Sequence, residues 1–165
     1  MKRFAALIDR IGYEPRRNAK IRLIADYPRR TPDPERGYAL AALTGSLSFR
    51  HAKPGIIREL IMERTDPVLF RLSRDYVGDT SETVALMWRA PPSSIHSEGP
   101  LLSEVVLGLA RAGKAELPAL IAAWLDELDE TGRWALLKLI TGGLRIGVSA
   151  RLAKTAAASL GNGIA

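Results

Sequence analysis

The sequence contains no cysteine, only two histidines and no long apolar run, and these absences exclude several classes of protein. Without cysteine there are no disulfides and no thiolate metal sites, a composition that fits a cytosolic protein. No apolar stretch approaches the roughly 20 residues needed to cross a bilayer. Both His51 and His96 fall in predicted loops, with no carboxylate at ligand spacing, so we expect no metal site.

Sequence motifs for catalysis are also missing. The chain has no Walker A loop, no Gly-x-Gly-x-x-Gly and no His-Glu-x-x-His. Serines surround His96, but neighbours in sequence do not make a catalytic triad, and an exposed loop is the better interpretation. A group of four carboxylates is better explained as a helix cap and a solvated face than as catalytic pairs. These four are Asp126, Glu127, Asp129 and Glu130.

What the sequence does have is positive charge, unevenly spread. The net charge is +6 and the pI is near 10. Residues 1–74 hold 16 Lys+Arg against 8 Asp+Glu, whereas residues 75–165 hold 8 against 10. The stretch after Glu130 has no acid and five cations, which are Arg133, Lys138, Arg145, Arg151 and Lys154. This segregation predicts a basic face built from the first half and the last segment, and nucleic acid as the leading class of partner.

Helical periodicity runs through nearly the whole chain and predicts an all-α domain of about ten helices. Pro28 is predicted to stop the second helix, which begins at residue 16. The fifth helix is predicted to run through Val68, Leu69, Leu72 and Tyr76 to Gly78. In residues 1–130, five side chains are predicted to cap helices: Asp33, Asp66, Asp79, Ser103 and Asp129.

Two similar segments predict that the domain consists of two pseudo-repeated halves. Leu43-Thr-Gly-Ser-Leu47 and Ile140-Thr-Gly-Gly-Leu144 share an aliphatic residue, threonine, glycine, a small residue and leucine. Each segment ends a predicted helix. The Pro- and Ser-rich residues 90–100 are predicted to form an exposed connector. The sequence therefore allows two lobes, residues 1–89 and 101–160, within a single domain covering residues 1–165.

The segment 142–149 (Gly-Gly-Leu-Arg-Ile-Gly-Val-Ser) is predicted to be the main binding turn. Gly142, Gly143 and Gly147 let the backbone approach a large ligand, and Ser149 is placed to cap the following helix. Such a turn presents N–H groups and the Arg145 guanidinium to an anion such as phosphate. The alternative is an ordinary helix C-cap, where glycine is the usual residue.

Two further basic segments are candidate phosphate contacts. Arg50 and Lys53 precede a helix whose first turn contains Gly55. Residues 16–20, which include Arg16, Arg17 and Lys20, place cations at a helix start, where they oppose the helix dipole. Contact with an anion would explain them. The alternative for these last residues is a solvated turn.

Three segments in this order carry a family resemblance: residues 17–21 (Arg-Asn-Ala-Lys-Ile), 75–79 (Asp-Tyr-Val-Gly-Asp) and 137–149, which contains Gly-x-Leu-Arg-Ile-Gly-Val. With them the chain resembles, over about residues 1–158, the N-terminal DNA-binding domain of bacterial ATP-dependent DNA ligases. Glu14 departs from that family, in which a small polar residue is common at this position.

The resemblance implies an all-helical domain that binds the minor groove on both sides of a nick without reading sequence. It implies a monomeric, cytoplasmic protein associated with the nucleoid, acting in DNA repair, replication and recombination. The catalytic domains of the same polypeptide would close a ring with it and would use ATP and Mg²⁺. None of the six lysines is followed by x-Asp-Gly, the motif of the adenylated lysine, so we expect this chain to be the binding module, without cofactor or catalytic residue of its own.

Together the residues and the resemblance predict how DNA is bound. Arg50 and Arg145 are predicted to enter the groove. Six cations are predicted to neutralise phosphates: Arg16, Arg17, Lys20, Lys53, Arg151 and Lys154. Two alternatives remain, a sequence-specific helix-turn-helix regulator and an α-solenoid that binds an acidic protein. The lack of a sustained 33–47-residue repeat weighs against the solenoid.

Overall fold

The structure is a computed structural model that describes residues 1–91, 98–142, 144, 151, 154–156 and 158. Over these residues the chain is all-α, as predicted, with no strand, and nine of its helices lie wholly within the described ranges. They are α1 (Lys2–Tyr13), α2 (Arg17–Arg30), α3 (Glu35–Leu43), α4 (Pro54–Arg64), α5 (Pro67–Val77), α6 (Thr80–Met87), α7 (Leu102–Arg111), α8 (Leu117–Glu127) and α9 (Glu130–Thr141). Residues 151, 154–156 and 158 are helical as well.

The core is organised around α9. This helix packs most extensively against α1 and α6 and also contacts α4 and α8. Five of its apolar side chains are at most 6% exposed, namely Ala135, Leu136, Leu137, Leu139 and Ile140. A helix that is apolar around most of its surface has to be surrounded by other elements. Burial of these side chains therefore fixes the position of α9 among its neighbours.

Three of the five aspartate and serine caps predicted in residues 1–130 are confirmed. Asp66 accepts from the Val68 and Leu69 N–H groups, and Asp79 and Asp129 cap α6 and α9 in the same way. The other two predictions are wrong because both side chains have other partners. Asp33 forms an ion pair with Arg36 (Oδ2 to Nη2, 2.6 Å). Ser103 lies inside the first turn of α7, where its hydroxyl donates to Glu35.

The prediction that Pro28 stops the second helix is also wrong. Helix α2 continues through Pro28 to Arg30, and Pro28 itself is buried. The C-cap residue that follows, Thr31, is extended (φ −120°, ψ 118°) and precedes Pro32. The ring of a proline disfavours helical geometry at the residue before it, so Pro32 rather than Pro28 ends α2.

The apolar spacing in α5 does not face the core. Phe70 is the buried residue of this helix, while Val68, Leu69, Leu72 and Tyr76 are 52–94% exposed. These four side chains lie on one side of the helix axis, because positions i, i+4 and i+8 share a face. The fold therefore leaves an apolar stripe on its surface.

An ion pair joins α6 to the last turn of α9. Lys138 Nζ lies 2.6 Å from Asp79 Oδ2, and the Lys138 side chain is 13% exposed. Burial alone would raise the pKa of Asp79, but the hydrogen bonds from Lys138 and from the Glu82 N–H outweigh it and hold the pKa below its usual 3.8. A carboxyl group whose pKa is lower in the folded state contributes its full stability above the unfolded-state pKa. That contribution to stability is lost as pH falls through the folded-state pKa.

We predict that Asp79→Asn lowers the free energy of unfolding by about 1 kcal/mol at pH 7, because asparagine keeps the cap and loses the charge. The difference from the unmutated chain should close as pH falls below about 3.8, the ordinary pKa. Urea denaturation from pH 7 to pH 3 measures both effects. Asp66→Asn is the matched control, since Asp66 caps α5 without an ion pair to any described residue. Equal losses for the two variants would contradict the role of Lys138.

Candidate nucleic-acid interface

The described part of the predicted binding turn is a left-handed helix end. Gly142 follows α9 with φ 70° and ψ 13°, its N–H donates to the Lys138 carbonyl, and the residue is exposed. Leu144 packs, partly buried, against the core. This is the geometry of a glycine C-cap, the alternative that the sequence left open. Gly143, Arg145, Gly147 and Ser149 lie outside the described residues.

The other glycine turn also contains a left-handed glycine beside a threonine that hydrogen-bonds back to its helix. Gly45 has φ 72°, and the Thr44 hydroxyl donates to the Leu40 and Ala41 carbonyls, as Thr141 does to the Lys138 carbonyl. The likeness concerns the two turns; the predicted pseudo-repeat of whole halves stays a prediction.

The fold brings the Gly142 turn next to the start of α4. Thr141 and Leu144 line one cleft together with Pro54 and Arg58, and the cleft has a volume of about 540 Å³. Two of the three segments that the sequence singled out therefore meet, although they lie about ninety residues apart. We call this opening the α4–α9 cleft.

At this cleft the N-terminus of α4 is open. Lys53 is the exposed N-cap residue, in extended conformation and with no side-chain cap, and Pro54 follows at the first helical position. The Gly55 N–H lies in the first turn, where helical N–H groups lack an intrahelical acceptor. A Cβ added to Gly55 would meet nothing within 4 Å. The start of α4 thus combines an exposed lysine, open space beside Gly55 and the positive end of the helix dipole, a suitable arrangement for an anion.

The third predicted segment is arranged differently. Arg16 is the N-cap residue of α2, and Glu14 Oε1 accepts hydrogen bonds from both its backbone N–H and its Nε, each at 3.0 Å. The hydrogen bond from the Arg16 side chain holds the pKa of Glu14 below its ordinary value. Glu14 thus supplies negative charge to the helix start. Arg17 is exposed and Lys20 is half-buried.

The structure does not place residues 16–20 at the α4–α9 cleft. Between them runs a groove of about 350 Å³ that shares Asp9 and Tyr13 with a depression beside α2 and shares Glu82 and Trp134 with the cleft. The predicted basic surface is therefore interrupted along this path. The remaining predicted contacts, Arg50, Arg151 and Lys154, are exposed.

Two cations of the last segment are structural rather than part of a basic face, which corrects that prediction. Arg133 is 8% exposed, and its guanidinium donates to the Leu125 carbonyl at 2.7 Å and to the Trp88 carbonyl at 3.3 Å. Burial lowers its pKa from the ordinary value, against the attraction of nearby carboxylates. Lys138 is held by Asp79. Arginine is suited to such a position because its planar group satisfies several carbonyls at once.

Part of the acidic group is structural too, and sequence reasoning missed its partners. Asp126 accepts from both Arg64 nitrogens, at 3.0 and 3.3 Å, and from Trp88 Nε1 at 2.9 Å. The Arg64 guanidinium also lies over the Trp88 ring, 4.6 Å from its centroid. Asp129 is the predicted helix cap. No local pattern signals a contact between residues 64 and 126.

We predict that Arg133→Ala lowers the free energy of unfolding by about 2 kcal/mol, because two buried carbonyls lose their donor. Arg17→Ala is the control, since Arg17 is exposed and a surface change of this kind stays within about 0.5 kcal/mol. Chemical denaturation of both variants measures the difference. A stability loss below that of the control would show that the Arg133 contacts are dispensable.

Within the described residues, no group of three or more histidine or carboxylate side chains is placed to hold a metal ion, and no helix there is long and apolar enough to span a membrane. A scan against protein-family models finds no match to this chain, and a search of curated proteins finds no match either.

Proposed function

We propose that this chain binds duplex DNA without sequence preference, as the N-terminal minor-groove-binding domain of an ATP-dependent DNA ligase. In this proposal it acts as a monomer in the cytoplasm, on nicked DNA, beside the catalytic domains of the same polypeptide. Those domains carry the chemistry with ATP and Mg²⁺. The observation that carries the proposal is the open α4 N-terminus, with Lys53 and Gly55 exposed beside the Gly142 turn.

The α4–α9 cleft suits a sugar-phosphate backbone better than a small ligand. Its lining includes glycine and threonine at helix ends and the cations Arg58 and Lys138. Of the two carboxylates that also line it, Asp79 is paired with Lys138, and Glu82 is the other. Phosphate contacts of this kind position a protein on DNA and carry no sequence information. Absence of sequence preference follows from this chemistry.

Exposed cations supply the long-range attraction. Arg17, Arg50, Lys53, Arg151 and Lys154 are exposed. Each phosphate that such a side chain neutralises releases condensed counterions, so affinity depends on salt. Arg16, partly engaged by Glu14, would contribute less than an unpaired arginine.

We predict that binding to a random-sequence duplex weakens steeply with salt, with a log–log slope near −5 if about six phosphates are neutralised. Fluorescence anisotropy on nicked, intact and sequence-scrambled duplexes between 50 and 300 mM salt measures the slope and the preference. A shallow slope, or tight binding to a single sequence, would contradict the proposal; the second result would indicate a sequence-specific regulator. Capture of an acidic protein with no duplex binding would instead indicate a scaffold.

We predict that Gly55→Ala weakens duplex binding by about 1–2 kcal/mol, the size of a lost charge-assisted hydrogen bond, because a methyl group separates the α4 backbone from the phosphate. Stability should not fall, since the added Cβ meets nothing within 4 Å in the free chain. Gly12→Ala is the matched control, because Gly12 is also helical, exposed and without neighbours at that distance. Unchanged affinity for Gly55→Ala would remove the α4 N-terminus from the interface.

A further inference from the structure

The groove between α1, α6 and α9 has a regular composition. Each helix contributes one carboxylate and, one turn later, one large apolar side chain. The three pairs are Asp9 with Tyr13, Glu82 with Leu86, and Glu130 with Trp134. Residues four apart lie on the same face of a helix, so each pair presents its acid and its apolar group side by side. We call this surface the acid–apolar groove.

The apolar members are accessible in the groove. Tyr13 is 84% exposed and Leu86 58% exposed, and Trp134 is partly buried against the core. Gly12 and Ala85, which also line the groove, leave room between the larger side chains. An exposed aromatic or aliphatic side chain alone is ordinary, but apolar groups gathered in one concave surface indicate a contact site.

The charge of the groove is opposite to that of the chain. No lysine or arginine is among its lining residues. Across the described chain, none of the ion pairs involves Asp9, Glu82 or Glu130. Three carboxylates repel a phosphate backbone and attract cations, and Tyr13 and Trp134 offer ring faces that favour a guanidinium or an ammonium.

We propose that the acid–apolar groove docks a basic segment of a partner protein, one in which lysine or arginine alternates with large apolar residues. The cations would meet the three carboxylates, and the apolar side chains would cover Tyr13, Leu86 and Trp134. The carboxylates select a positively charged partner. The apolar contacts supply most of the binding free energy, because exposed ion pairs alone contribute little. This inference does not depend on DNA binding.

The probe is a short, acetylated and amidated peptide that alternates lysine with pairs of leucine. Calorimetry should give saturable binding, and amide shifts should concentrate in α1, α6 and the first turns of α9. Two control peptides separate the contributions: one with serine for leucine and one with glutamate for lysine. Both should bind about tenfold more weakly. If the serine peptide binds as well as the leucine peptide, the attraction is charge alone and the proposal is wrong.

The main variant is Asp9→Asn/Glu82→Gln/Glu130→Gln, and its matched control is Glu59→Gln/Glu63→Gln/Asp75→Asn. Both raise the net charge by the same three units, and the control residues are exposed elsewhere on α4 and α5. The groove variant should bind the lysine–leucine peptide about tenfold more weakly, and the control should not change. Equal losses would show a general charge effect and would overturn the proposal.

A second pair of variants tests the apolar contribution and covers the case in which the triple variant unfolds. Leu86→Ser removes an exposed groove side chain, and Leu72→Ser removes one of similar exposure on α5 (58% and 63%). Only Leu86→Ser should weaken binding of the lysine–leucine peptide. An equal effect of both variants, or no effect of either, would refute the proposed docking site. Duplex binding measured on the same proteins distinguishes failure of this inference from failure of the DNA proposal.

Discussion

Burial of α9 is the constraint on which the candidate interface depends. Its five buried aliphatic side chains hold it among α1, α4, α6 and α8. Arg133 near its start is tied to carbonyls of α8 and of Trp88, and Lys138 near its end is tied to Asp79. Because both ends are held by polar contacts, a shift or rotation of the helix would break these contacts and cost free energy. The exit of the chain at Gly142, beside the start of α4, follows from that anchoring.

The same polar contacts show why net charge is a poor guide to a binding face. The net charge counts all lysines and arginines together. In the structure, some of them hold helices together and others are exposed to solvent. Arg133 and Lys138 belong to the first group, while Arg64 contacts Asp126 and is exposed as well. Removing a partner from a buried cation costs more than removing an exposed cation, because the remaining group is desolvated without compensation. A uniform alanine scan of the cations would therefore mix folding defects with binding defects, and the two groups have to be read separately.

The sequence predicts helices well and their neighbours poorly, for physical reasons. Period-3.6 spacing reports which residues share a face, and aspartate before a helix reports a local hydrogen bond, so α1, α4, α8, α9 and three caps follow from short stretches. Whether a face is covered depends on elements distant in sequence. The stripe on α5 has the spacing of a buried face and is exposed. The Arg64–Asp126 contact spans 62 positions, and Arg133 donates to a carbonyl 45 positions away.

For the candidate site the same division holds. The open α4 N-terminus was predictable, because Lys-Pro-Gly at a helix start fixes its geometry locally. Its meeting with the Gly142 turn was not, since it depends on how α9 packs. Nor was the acid–apolar groove, whose three helices each look like an ordinary amphipathic segment. Each i, i+4 pair can be recognised in the sequence by itself. The three pairs come together only because α1 and α6 pack on α9.

Glu82 connects the two proposed surfaces, because it lines both the acid–apolar groove and the α4–α9 cleft. Under the two proposals its carboxylate opposes a phosphate that approaches the cleft and favours a cation in the groove. A basic segment bound in the groove would screen that carboxylate and so reduce the repulsion of DNA. Such coupling is reciprocal, so bound duplex would strengthen the groove's hold on the basic segment by the same factor. Opposite charges on adjoining surfaces then act together, and a partner protein and DNA would favour each other on this fold.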